Sequence, residues 1–431
     1  MSKLPFTASR AYRLSSLGLK DDDSVSHVRI GCDSVHNVVL PHTKGLGYVV
    51  VSTARTALSI ETRDFRVEKL GIAGSLWARL RLALLFKKKK YLTFEGFSLF
   101  SAGPKRARKR FTSFTQHMVS VGLAVDGDLF ARVPELLNGW PEDEAAPEAC
   151  ARQSGANRVA IVAHLYYEET WPDIAGVLKR LAIPYDLIVT TVPGREGLIE
   201  RIRRSFPHAA VEVMENRGRD VRPFLVLLES GRLDAYALVC KIHGKKSSDG
   251  DRKSFLGAIW RRRVLFDLLG AHGLAKSVID RFEREPEIGM IGPRPFRMPS
   301  DTYSEALSWS VNRDMVLALA AKMGVPKDKF RLDFFGGTMF WVRPEALRPL
   351  RDLRLSSQFP DERGLLDGGL EHAVERLFAT SVVAAGYRIG DCDGSEAGRT
   401  WSDNAHAPRH TDSACGQSRS TRPATKFGSS D

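Results

Sequence analysis

Four short stretches combine charged, hydroxyl and glycine residues at spacings suited to holding an anion and moving a proton. In NRGRD (216–220), Arg217 and Arg219 flank Gly218. Guanidiniums grip phosphate oxygens through paired hydrogen bonds, and glycine permits a tight backbone path. Asn216 and Asp220 could accept or donate to a base or ribose, or Asp220 could pair with one of the arginines. The same five residues also suit an ordinary turn in which Asp220 caps a helix, and both readings stand. KIHGKKSS (241–248) gathers Lys241, His243 and Lys245 around a glycine, a set that fits a diphosphate, with a charged surface loop as the alternative. DFFGGTMFWVRPEAL (333–347) offers Gly336, Gly337 and Thr338 as the edge of a nucleotide or sugar site, with Phe335, Phe340 and Trp341 read mostly as core. LLDGGLEHAVERLF (365–378) sets Asp367 and Glu371 four apart, on one helix face, and Glu371 and Glu375 likewise. Asp367 at a helix start complements the macrodipole, whereas Glu371 and His372 lie one turn further in. A carboxylate here can take the proton of an attacking hydroxyl.

The elements that position these clusters emerge from periodicity. Apolar runs RVAIVAHLYY, YDLIVTTV, AAVEVMEN and YALVCKI alternate with helical patterns at 171–181, EGLIERIRRSF and VRPFLVLLESG. Short buried runs separated by helices predict βαβ units and a mostly parallel sheet flanked by helices. Further helices are expected at 255–269, 274–284, 313–323 and 367–385, with strands at IGMIG and GTMFWV. Ligands of open α/β sheets sit beyond the carboxyl ends of the strands, which is where the first two clusters fall.

The remainder reads differently. Residues 1–155 read as an irregular basic region with one strand, GYVVVS, ending in an acidic, Pro-rich linker. Residues 156–390 form the α/β domain, and 391–431, rich in Ser, Asp, Gly, Thr and Arg, read as a disordered tail. Five scattered cysteines make no CxxC pair and no zinc spacing, so structural disulfides are not expected. No apolar run is long enough to span a bilayer, and the first residues lack a secretory pattern, so cytoplasmic residence is expected.

In this order the four clusters resemble the motif series of the rhamnan synthesis protein F family, over roughly residues 158–389. That resemblance implies a role in bacterial surface polysaccharide assembly (rhamnan, O-antigen or lipopolysaccharide). It implies transfer of rhamnose from a deoxythymidine diphosphate-rhamnose donor to a lipid-linked or growing glycan acceptor. A more distant likeness is to family-2 glycosyltransferases of the GT-A fold, through Asn216–Gly218, the glycine-rich strand, the carboxylates near Glu371 and Gly386-Tyr387. Where such enzymes carry a metal-binding Asp-x-Asp, this chain has Lys241-Ile242-His243-Gly244-Lys245. No metal cofactor is therefore expected: Lys241, His243, Lys245, Arg217 and Arg219 would meet the diphosphate charge, and Glu371 or Asp367 would be the base. The missing Asp-x-Asp also motivates a second reading, a non-catalytic glycan- or nucleotide-sugar-binding module of an assembly complex.

The net charge of +13 is regional: residues 63–110 hold 14 Lys/Arg against three acids, leaving +2 for the rest. Within it, SLWARLRLALLFKKKKYL (75–92) places Leu76, Trp77, Leu80 and Leu84 on one helical side before four lysines. This pattern suits an anionic membrane surface at the inner face of the cytoplasmic membrane; an ordinary surface helix is the alternative. No nucleic-acid fold motif accompanies the charge, and a nucleic-acid partner is not expected.

Overall fold

The computed structural model describes residues 10–394 except 18–24, 32–34, 42–46, 54–57, 87–90, 106–107, 110, 112–127, 142–157, 245–253, 272, 299–307, 363 and 365–366. Lys245, Lys87–Lys90 and most of the expected tail thus lie outside the described residues. The described residues of the N-terminal region are not irregular. The region contains β1 (Ala11–Ser16), β2 (Val25–Gly31), β3 (Val35–Pro41), β4 (Gly47–Ser52), β5 (Ser59–Glu61), β6 (Phe65–Lys69), β7 (Leu92–Phe94) and β8 (Phe97–Ala102). They pair antiparallel in a five-stranded sheet, β6-β1-β4-β8-β7, and a three-stranded one, β3-β2-β5. The sequence hides them because several are half-buried: β1 reads AYRLSS, with only Ala11 and Leu14 fully covered, and β6 buries Phe65 alone. An antiparallel strand with one wet face need not carry a continuous apolar run; β4, buried at five of its six positions, does and is legible. Helix α1 (Ile72–Phe86) lays Ala78, Leu82 and Leu85 on Ala11, Val49, Val51 and Phe100 of the larger sheet.

The second sheet is the expected one. It comprises β9 (Val159–Leu165), β10 (Asp186–Thr191), β11 (Ala210–Val213), β12 (Leu238–His243), β13 (Ile288–Pro293), β14 (Phe340–Val342) and β15 (Arg388–Cys392). Their order is β11-β10-β9-β12-β14-β13-β15. β9, β12 and β13 are buried at every position, as central strands covered on both faces must be. All neighbouring pairs are parallel except those of β14, which runs antiparallel to both β12 and β13. Phe340 and Val342 enter a core shared with the helices Val221–Glu229, Arg313–Lys322 and Leu370–Ala384. Trp341, between them, points to the other face and donates its Nε1–H to the Leu268 carbonyl at 3.1 Å.

Two ends of this domain differ from expectation. Residues before the linker already pack on it: Gly176, in the helix Trp171–Leu178, lies so close to Trp140 that a Cβ would come within 2.5 Å of it. Arg262 donates to the Leu137 carbonyl at 2.5 Å. At the far end, residues 391–394 belong to the domain rather than to a tail, since Asp391 and Cys392 are in β15 and the Gly394 N–H reaches Asp267 at 2.9 Å. Asp173 fastens the first of these ends from inside. Its carboxylate takes hydrogen bonds from Arg261 at 2.5 Å and from Arg262 at 2.9 and 3.0 Å, with Arg261 and Asp173 both buried. Removing one partner of such a group strands the other charge away from water. Asp173→Ala should therefore cost about 3–5 kcal/mol, read as a lowered midpoint in thermal or urea unfolding; a midpoint within error of wild type would show the pair to be dispensable.

Candidate active site

The NRGRD turn leaves β11 through two consecutive left-handed residues, Gly218 (φ 58°) and Arg219 (φ 55°). Gly218 has no substitute, because a Cβ would enter the Phe359 ring. This reversal delivers Asp220 to the start of the helix Val221–Glu229, yet its carboxylate makes no capping bond there. It turns to Lys241 instead, whose Nζ is 2.6 Å from Asp220 Oδ2. The ammonium also donates to the Thr338 carbonyl at 2.9 Å and to Thr338 Oγ1 at 3.0 Å, while the Thr338 hydroxyl donates to the same Asp220 oxygen. Three acceptors require three N–H donors, so Lys241 is the charged ammonium. It is buried, with the rings of Phe224 and Phe378 at 5.7 and 5.9 Å. Burial pulls its pKa down, and Asp220 opposes that. Burial likewise pushes the Asp220 carboxyl up, but His243, Lys241 and the two hydrogen bonds outweigh it and hold Asp220 well below the ordinary carboxylate range.

His243, two residues on and at the end of β12, donates Nε2–H to the Gly337 carbonyl at 2.6 Å and lies 3.8 Å from Asp220 Oδ2. Gly337 (φ 90°) has no room for a side chain against Trp260, and its N–H donates to Glu375 Oε1 at 2.5 Å. Thr338 is also left-handed, at φ 54°. Gly336 N–H bonds the Phe296 carbonyl at 2.8 Å. These contacts bring NRGRD, KIH and FFGGT to one end of the sheet. The fourth cluster joins through Glu375 and also through Arg219, whose Nη1 is 3.2 Å from His372 Nε2 and whose Nε is 3.6 Å from Glu362. His372 Nδ1 accepts the Gly369 N–H at 3.1 Å and sits 3.3 Å from Glu371 and 3.9 Å from Asp367.

The expected site residues thus divide. Asp220, Lys241, His243, Gly337 and Thr338 form one bonded group, and Arg219, Asp367, Glu371 and His372 lie close together beside it. Lys241 is taken up by Asp220 and Thr338 and acts as a clamp rather than a cation facing an opening. Arg217 pairs with Asp361 at 2.8 Å and with Glu215 at 3.4 Å, and Asn216 is exposed. Asp367 is fixed by Asn312 Nδ2 at 2.7 Å and by the Gly368 N–H at 2.9 Å, with its side chain 31% exposed, whereas that of Glu371 is 9% exposed. Burial raises the Asp367 carboxyl, but hydrogen bonds from Asn312, Ser310 and Gly368 win and lower it. Among the described residues no three His, Cys, Asp or Glu side chains cluster closely enough to hold a metal ion.

Other residues at this end escape notice in the sequence. Glu375 stands out there only as a helical neighbour of Glu371, not as the acceptor of a backbone N–H thirty-eight residues away. Asp391, near the end of β15, binds Arg294 and Arg297 at 2.9 Å each, and Asp333 binds Arg297 at 2.7 Å. His164, in β9 opposite His243, holds Thr190 Oγ1 at 3.0 Å. Asp391, His164 and Arg294 share a signal, position near a strand end; Glu375, inside a helix, and Asp333, seven residues before β14, carry none.

These features define an α/β protein with a polar site at the carboxyl ends of a mixed seven-stranded sheet. The family described as rhamnan synthesis protein F matches residues 144–387, more than half of the chain, and the chain belongs to that family. Two relatives, both described as uncharacterized protein WxcX and both from Xanthomonas campestris pv. campestris, are 31% identical over 248 residues, covering 57% of this chain and 34% of theirs. The chain spans about a third of the length of these curated relatives. Among solved structures, the crystal structure of 4-diphosphocytidyl-2C-methyl-D-erythritol synthase is 14% identical over 56% of this chain and 91% of that one, with a TM-score of 0.27, a likeness too loose to bear on fold or function.

One pH-dependent contribution to stability at this end of the sheet comes from His164. Burial lowers its pKa from 6.5 to about 4, Asp220 opposing and the charges of His243 and Lys241 assisting. A lowered histidine is neutral in the fold and takes its proton in the unfolded chain first. Stability should therefore fall as pH drops from about 6.5 to about 4, by roughly 3 kcal/mol. The contribution of Asp220, held low, is lost only at more acid pH, below its unfolded value of 3.8. Urea midpoints at pH 7 and 4.5 would show the first effect, and His164→Asn should flatten it; equal losses in both proteins would assign the acid limb elsewhere.

Proposed function

We propose that this chain is a GT-A-like glycosyltransferase of surface polysaccharide assembly, moving rhamnose with inversion from deoxythymidine diphosphate-rhamnose to a lipid-linked or growing glycan acceptor. The observation that carries this reading is the meeting of four motifs, scattered over residues 216–378, at the carboxyl end of one sheet. A polar strand-end site suits a nucleotide sugar, and membership of a rhamnan synthesis family supports the choice of sugar.

In the proposed reaction Asp367 is the base. It is ionised, held by hydrogen bonds from Asn312, Ser310 and Gly368, and more open than Glu371. It takes the proton of the acceptor hydroxyl as that oxygen bonds to C1 of rhamnose from the face opposite the diphosphate. The C1–O bond to the diphosphate breaks, and its electron pair leaves with deoxythymidine diphosphate. Arg219 meets the developing charge, with Arg217 two residues before it and with His243 and Lys245 of the KIHGK motif. Lys241 and Asp220 are positioning residues: they fix Thr338, and through it the glycine turn. The basic strand-end motif, in place of paired aspartates, favours a reaction without a metal ion.

The test is transfer to a lipid-linked acceptor by the purified chain. Activity should survive a chelator, and Arg219→Gln should lower turnover by roughly 10²–10³-fold, the scale of losing one transition-state donor. Asp367→Asn should abolish turnover while leaving donor binding intact, and Glu371→Gln should do less. Loss in chelator with rescue by manganese or magnesium would overturn the metal-free mechanism. Donor binding without turnover, given a competent acceptor, would favour a non-catalytic nucleotide-sugar-binding module.

A further inference from the structure

Helix α1 is apolar on two opposite sides, and only one of them is covered. Ala78, Leu82 and Leu85 pack on the five-stranded sheet. On the other side Ile72, Leu76, Leu80 and Leu84 recur at every fourth position, 94%, 63%, 63% and 65% exposed, and Trp77, at 44%, borders them with its ring centre 6.4 Å from that of Phe100 in the sheet. At 3.6 residues per turn these five span an arc of roughly 140°. Ala73 and Ala83 fall inside the arc and are exposed too. Arg79 and Arg81 fall at its two borders, the guanidinium of Arg81 lying 5.8 Å from the Trp77 ring centre. A helix on the surface of a water-soluble protein puts polar residues on its outer face; this one puts them only at the margins.

The flanking chemistry selects what covers the stripe. The helix has 15 residues, too few to cross a bilayer, which needs about 20, and no helix among the described residues is long and apolar enough to do so. An apolar arc edged by Trp and Arg is the pattern of a helix lying in a membrane interface, where long cationic side chains reach headgroup phosphates. The surrounding chain, residues 63–110, carries 14 Lys/Arg against three acids. A second copy would bring the same charge to the contact and be repelled, whereas an anionic lipid surface complements it. A nucleic acid would match the charge but not the aliphatic row. We propose that α1 docks this chain on an anionic bilayer, with Ile72, Leu76, Leu80 and Leu84 at the acyl boundary, Trp77 at headgroup level, and Arg79 and Arg81 on lipid phosphates.

Co-sedimentation of the full chain with vesicles of equal parts phosphatidylcholine and phosphatidylglycerol tests this directly. Wild type should bind at low salt and bind poorly to phosphatidylcholine alone. Leu76→Gln with Leu80→Gln, both at exposed positions, should lower partition about tenfold or more without shifting the thermal midpoint. Arg79→Gln and Arg81→Gln should each lower it about fivefold on the anionic vesicles only. Wild type that fails to bind, or Leu76/Leu80 variants that bind equally well, would overturn the proposal. So would a wild-type dimer that the leucine variants dissolve into monomers with no vesicle binding by either, since a second copy would then be the occupant.

Discussion

Burying the Lys241 ammonium beneath aromatic rings imposes the constraint on which this site depends. An ammonium removed from water is tolerable only when every proton has an acceptor and its charge has a counterion. Asp220 supplies the charge, and Thr338 supplies a carbonyl and a hydroxyl. The three residues come from three segments that are far apart in the chain. Satisfying one cation therefore fixes the exit of β11, the middle of β12 and the approach to β14 against one another. Such a pair is weak evidence for stability, because apolar replacements of similar volume often serve as well; what it confers here is a defined geometry at a strand-end site.

The reversed direction of β14 is what makes that geometry reachable. Register pairs Lys241 with Phe340 and Val239 with Val342, so the residues before Phe340 run outward past the carboxyl end of β12. Gly337 and Thr338 consequently meet His243 and Lys241. A parallel strand at this place would have presented its amino end to the opposite edge of the sheet. The cost is local: Thr338 and Arg219 both adopt a left-handed backbone, at roughly 1–2 kcal/mol for a residue with a side chain. Hydrogen bonds to Asp220 and Lys241 hold the first, and the approach to His372 and Glu362 accompanies the second.

Much of this is legible in the sequence, and the gaps have physical causes. Most strands of the second sheet announce themselves as short apolar runs, and the four polar clusters as interruptions near their ends. Periodicity does not report strand direction, so GTMFWV is recognisable as a strand but not as the antiparallel member. Nor does it say where a side chain points: Lys241 reads as a cation open to a diphosphate until its three acceptors are seen. The N-terminal sheets stay hidden because strands such as β1 and β6 cover few positions. The polar composition of residues 395–431 draws Asp391 into a tail, although its carboxylate is held by two arginines of the domain.

Such carboxylates are part of how the strand-end arginines are held. Arg297 is fixed between Asp333 and Asp391, Arg217 lies against Asp361, and Arg219 lies near Glu362 and His372. The side chains differ in how firmly they are tied. Arg297 has hydrogen bonds at 2.7 and 2.9 Å to two acids, while the Nε of Arg219 is 3.6 Å from Glu362, beyond hydrogen-bond reach. The two are held by different means: Arg297 is fixed in place by the carboxylates on either side of it, whereas the direction in which Arg219 leaves the chain is set by its left-handed backbone, with His372 and Glu362 beside the guanidinium.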